Sequence, residues 1–132
     1  MNIIEISSFV YRAYPKFQER FKFSQMVSLI DRFEKNLIII EENNEVKGVA
    51  LYLMLDDIGL ERVKTRVYDL GKPDGFNKAL QRKGDNIHFI GVAARDTRTI
   101  LKGLRQVIKQ KKPKTVSWFK PDFIDFRIIK GV

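Results

Sequence analysis

The apolar positions of this chain change period several times, and each change marks an element. Over the first third the spacing is helical. Phe17 and Phe21 stand one turn apart, and from Ser24, a residue suited to cap a helix, Met26, Leu29, Ile30 and Phe33 fall on one face. The period then shortens. Leu37–Glu42 (LIIIEE) and residues 46–55 are strand-like runs on either side of Asn43-Asn44, a pair that tolerates the left-handed backbone of a tight turn, so this segment predicts an antiparallel hairpin. Over residues 56–70 Leu60, Val63, Val67 and Leu70 return to helical spacing, and GKPDG at 71–75 has the composition of a turn. Residues 76–85, with Phe76 and Leu80, read as an elaboration inside the domain.

Residues 87–94, IHFIGVAA, form a continuous apolar run of strand length, the pattern of a central strand covered on both faces. Asp96 or Thr97 then caps a helix. Its Ile100, Leu101, Leu104, Val107 and Ile108 make one apolar stripe, while Arg98, Lys102, Arg105, Lys109 and Lys112 lie opposite. Pro113 ends it, and Thr115–Phe119 makes a second strand, parallel to the first through a right-handed crossover. Lys120, Pro121 and Asp122 turn the chain into a last short strand, Phe126–Lys130. The predicted class is α/β (α+β). A mixed sheet holds an antiparallel hairpin followed by a strand–helix–strand unit, with helices on both faces, in a single domain over residues 1–132.

Composition narrows the chemistry. A chain of 132 residues, 44% hydrophobic, can bury a core without covalent staples. With no cysteine and one histidine, it offers neither a disulfide framework nor a thiolate metal site, and no structural metal is expected. The N-terminal residues lack a basic leader pattern and no run reaches membrane-spanning length, so a cytoplasmic location away from membranes is expected. The formal charge of +9 is concentrated: residues 95–120 hold nine basic side chains against the single Asp96.

The order of elements from about residue 24 onward, together with IHFIGVAARDTRTILKGLRQVI, resembles the GNAT superfamily of acetyl-coenzyme A-dependent N-acyltransferases. The resemblance implies that Val92, Ala93 and Ala94 hold the pantetheine arm by their backbone, with Arg95, Thr97, Arg98 and Thr99 around the diphosphate. A strand running into a helix N-terminus suits that anion on its own physics, since free N–H groups and the helix dipole point at it. Three departures stand out. The family's Gln/Arg-x-x-Gly-x-Gly/Ala motif is missing, with Gly103 the only nearby glycine. FKPDFIDF after the second strand leaves room for about one helical turn and has no tyrosine to serve as general acid. Residues 56–85 replace a connection that is normally short.

By that resemblance the chain transfers an acetyl group from acetyl-CoA to an amine acceptor, a small molecule or a protein. Glu41, Glu42, Asp56, Asp57, Asp85 and His88 are the candidate bases. His88 leads them, because it sits near the start of the central strand and its ordinary pKa suits proton transfer. A lone histidine on a strand is nevertheless commonly structural. Trp118 and Phe119 are candidates for a substrate slot or simply core, and Tyr11, Tyr14, Phe17 and Phe21 are packing residues. Two other readings stand beside the enzyme. One is a catalytically inactive GNAT-like binding or assembly module. The other is nucleic-acid binding through Lys102, Arg105, Lys109, Lys111, Lys112 and Lys114.

Overall fold

The computed structural model describes residues 2–13, 15–32, 36–94, 96–120 and 125–130. Its elements are helices α1 (Ile3–Ala13), α2 (Pro15–Arg20) and α3 (Phe23–Arg32), strands β1 (Leu37–Glu42) and β2 (Glu45–Leu55), and helices α4 (Asp57–Lys64) and α5 (Pro73–Gln81). Strand β3 (Asn86–Ala94), helix α6 (Thr97–Lys111) and strands β4 (Thr115–Phe119) and β5 (Phe126–Lys130) complete the order. The five strands form one sheet in the order β1-β2-β3-β4-β5, so the apolar run predicted to be central is central. The sheet is mixed: β1 and β2 are antiparallel, β3 and β4 parallel, β4 and β5 antiparallel.

The chain resolves into two compact units, Met1–Leu51 with Gly91–Val107, and Tyr52–Ile90 with Ile108–Val132. In the first, Ile6 and Val10 of α1, Met26 and Ile30 of α3, and Ile38, Ile40, Val46 and Val49 of the hairpin are buried. Pro15 opens a new helix, so the N-terminal third holds three short helices rather than two. Phe21 lies past the end of α2, and the Phe17–Phe21 pair does not share one helix. Helix α3 begins at Phe23, ahead of the expected cap at Ser24. The Lys22 N–H donates to Gln25 Oε1 at 2.8 Å, which is half of a capping box. Phe33 and Tyr14 lie outside the described residues. The hairpin turns on Asn43 and Asn44 with φ of 54° and 64°, the left-handed pair of a type I′ turn. Asn44→Ala is expected to lower stability by about 1 kcal/mol, because alanine keeps the Cβ that crowds that backbone and loses the side-chain amide that lets asparagine tolerate it, read as a shift in the urea midpoint.

In the second unit Leu53, Leu55, Val63, Tyr68, Phe76, Ala79, Ile87, Phe89 and Val116 are buried. The insertion departs from its sequence pattern in two places. Helix α4 stops at Lys64 because Arg66 takes φ 66°, and the reversal leaves Val67 68% exposed and buries Tyr68 in its place. The Pro73-Asp74-Gly75 stretch, turn-like in composition, is the first turn of α5. Gly75 is required there, since a Cβ would stand 2.3 Å from the Asp69 carbonyl oxygen. In α6 the buried face runs through Thr99, Gly103 and Val107, whereas Leu101, expected in the apolar stripe, is 46% exposed. The rotation follows from Gly103, whose missing side chain makes room for the Ile40 Cδ1 methyl, 2.7 Å from where a Cβ would be.

Candidate functional site

The parallel pair at the centre of the sheet is tied together at its start. Asn86, the first residue of β3 and fully buried, donates from Nδ2 to the Leu55 carbonyl at 3.1 Å and to Asp57 Oδ1 at 2.9 Å. Its Oδ1 accepts the Thr115 hydroxyl at 2.7 Å. Asp57 also takes Lys114 Nζ at 3.2 Å, and the Lys114 N–H donates to the Asp85 carbonyl. Its neighbour Asp56 caps α4 by accepting the Gly59 N–H at 2.7 Å and holds Arg82 by two hydrogen bonds, at 3.1 and 2.7 Å. The Arg82 hydrogen bonds hold the Asp56 carboxyl below its usual range, and those from Asn86 and then Lys114 do the same for Asp57. Both aspartates are thus ionised structural partners, and neither has the poised pKa of a general base. Asn86 and its partners formed no pattern in the sequence beyond one polar residue heading an apolar run.

Two residues along β3, His88 is 1% exposed. Its Nδ1 shares a hydrogen bond of 2.9 Å with the hydroxyl of Ser117, its direct neighbour in the ladder. The ring stacks on Phe126 at 5.9 Å and meets the edge of Phe119 at 5.6 Å. Burial pushes its pKa down to about 4, so the imidazole is neutral at pH 7. Phe119, half-buried on its strand, belongs to this aromatic cluster and also carries the Arg66 guanidinium 5.5 Å from its ring centre.

The β3–β4 ladder pairs Asn86 with Thr115 and ends at Phe89 and Trp118, although β3 runs on to Ala94. Val92, Ala93 and Ala94 are the last residues of that strand, and Thr97, Arg98 and Thr99 open α6. These six therefore fall at the end of one strand and the start of the helix that follows it. Arg95 lies outside the described residues. Arg98 is exposed and Thr99 is 9% exposed. Of the two expected caps, Asp96 is the one in use: its Oδ1 accepts the Thr99 N–H at 2.8 Å. That bond holds the Asp96 carboxyl below its usual range, so it is ionised at neutral pH.

The remaining candidates are dispersed. Glu41 and Glu42 are exposed at the end of β1, where Glu42 faces Lys102 at 3.8 Å, and Asp85 is exposed. Tyr11 packs α1 on α3, its hydroxyl donating to the Phe21 carbonyl at 2.9 Å and its ring meeting the Phe23 edge-on. Among the described residues no cluster of three His, Asp or Glu side chains could hold a metal ion, and no helix is long and apolar enough to cross a membrane.

No family model and no curated protein matches the chain. Solved structures do. It is similar to an N-acetyltransferase from Staphylococcus aureus Mu50 over 88% of this chain and 75% of that one, with 13% identity and a TM-score of 0.52. A second structure, of an acetyltransferase, matches 88% of this chain and 74% of its own at 14% identity, with a TM-score of 0.46. The first likeness establishes the fold: the chain has a GNAT-like α+β fold with a five-stranded mixed sheet.

Proposed function

We propose that the chain is an N-acyltransferase of the GNAT-like type that moves an acyl group, acetyl in the simplest case, from coenzyme A to an amine. The observation that carries this reading is the early end of the β3–β4 ladder at Phe89 and Trp118, with β3 continuing to Ala94 and into α6. A strand that outruns its partner presents backbone N–H and C=O groups, and the pantetheine arm, with two amides of its own, is suited to pair with them. In this reading Val92, Ala93 and Ala94 hold the arm, and Thr97, Arg98 and Thr99, with Arg95, face the diphosphate. Acyl-coenzyme A, when bound, would supply the activated thioester, and coenzyme A would leave as the thiol. The protein supplies orientation and amide donors toward the developing oxyanion. His88 is a positioning residue rather than the base, since its burial denies it an acceptor, and the amine loses its proton to solvent.

The two ends of the corner fit coenzyme A unequally. The strand end suits the arm. At the helix end the Asp96 carboxylate has taken one of the first-turn amides and adds a negative charge beside the expected diphosphate. That observation favours a second reading, a GNAT-like module that binds or assembles without catalysis. Calorimetry with acetyl-CoA separates them. The first reading expects binding in the high-micromolar range, strengthened about tenfold by Asp96→Ser, which keeps a cap and removes the charge. No heat at millimolar acetyl-CoA from either protein leaves only the second.

A further inference from the structure

Helix α6 contains no Asp or Glu between Thr97 and Lys111. Lys102, Arg105 and Lys109 follow one another at spacings of three and four, which sets them in a row on one face, away from buried Gly103 and Val107. Lys111, the last residue of α6, and Lys112 just past it extend the charge, and all five side chains are exposed. Over Lys102 to Lys112 the charges span about 15 Å.

Four cations elsewhere among the described residues have acids. Lys47 pairs with Glu45, Lys78 with Asp74, Arg82 with Asp56 and Lys114 with Asp57. Among the described residues of this row Lys102 has one, Glu42 at 3.8 Å with both side chains more than half exposed. Among the described residues no carboxylate lies in range of Arg105, Lys109, Lys111 or Lys112. Like charges three and four residues apart destabilise a helix. The helix dipole compensates for Lys109 and Lys111 in the last turn, but not for Lys102 and Arg105 in the middle.

We propose that this face of α6 binds nucleic acid through its phosphates. A row of cations at about 5 Å intervals matches a regularly repeating polyanion. Gln106 and Gln110, exposed on the same helix, add neutral donors of the kind that meet phosphate and sugar oxygens. The described residues of the face include no aromatic to stack on a base, so the binding is to backbone and independent of sequence. An anionic bilayer suits it less, because a helix lying in a membrane buries its apolar stripe in lipid, whereas here Val107 is fully buried within the protein, Ile108 beside the row is half-buried and Leu101 is the exposed apolar neighbour among the described residues. This inference is independent of acyl transfer.

Fluorescence anisotropy with a labelled mixed-sequence duplex of about 30 base pairs tests it. About four phosphate contacts give a slope of log affinity on log salt near −3.6, which weakens binding about 150-fold between 50 and 200 mM salt. Arg105→Gln/Lys109→Gln/Lys112→Gln should weaken binding at 50 mM salt by at least about 30-fold and cut the slope by about 2.7. Its thermal midpoint, equal to or above that of the parent, shows that the loss is not unfolding. The proposal is overturned by no binding at about 50 μM protein in 50 mM salt, or by an unchanged slope in the triple variant. Poly-glutamate competing as well as DNA of equal charge, or phosphatidylserine vesicles binding where DNA does not, would equally overturn it.

Discussion

Replacing Asn86 with alanine is expected to destabilise the protein by about 3 kcal/mol. The side chain is fully buried and all three of its described partners are too far along the sequence to be replaced by a local adjustment: the Leu55 carbonyl, the Asp57 carboxylate and the Thr115 hydroxyl. Alanine strips a hydrogen bond from each and leaves a void at the meeting point of β2, α4, β3 and β4. Thr115→Val removes one of the three bonds and should cost about 1 kcal/mol. Thermal melts give the comparison, with Asn86→Ala lowering the midpoint by roughly 10 °C and Thr115→Val by roughly a third of that. Equal shifts in the two variants would mean that the carboxamide is not the hub. The effect bears on function as well, because this network sets the register at the head of the parallel pair, and the register fixes where the ladder ends.

What was legible in the sequence follows the range of the interactions involved. The hairpin could be read because Asn43 and Asn44 announce their own left-handed backbone, and β3 and α6 because an apolar run and a helical stripe carry their period within a few residues. The insertion could not be read as well. Arg66 carries no local sign that it will reverse the chain and exchange Tyr68 for Val67 in the core. Leu101 and Gly103 differ in a contact supplied by Ile40, over sixty residues earlier. The site suffered most from this. Asp56 and Asp57 have the composition of bases, and only the fold brings Arg82, Asn86 and Lys114 onto them. Val92, Ala93 and Ala94 end β3 and Thr97, Arg98 and Thr99 open α6, but the resemblance that pointed to them did not reveal that Asp96 would take up a helix amide itself.

Acid should expose His88. Its pKa of about 4 in the folded protein lies below the ordinary histidine value, so the unfolded chain binds the extra proton first. Stability is therefore complete above about pH 6.5 and is lost as pH falls toward 4, by about 3 kcal/mol in all. The cause is geometric: a cation here would sit between Phe119 and Phe126 with Ser117 as its polar partner and almost no water. Asp56, Asp57 and Asp96 do not obscure the effect. Their carboxyls are held below the usual aspartate range, so what they contribute is kept down to about pH 4 and lost only in stronger acid. His88→Phe keeps the ring in the cluster and removes the titration. Urea midpoints measured from pH 7 to pH 4 should fall steeply for the parent and remain nearly level for the variant. If the two curves run parallel, the imidazole is already protonated at neutral pH or reaches solvent, and its assignment as a buried positioning residue, with the base left to solvent, is wrong.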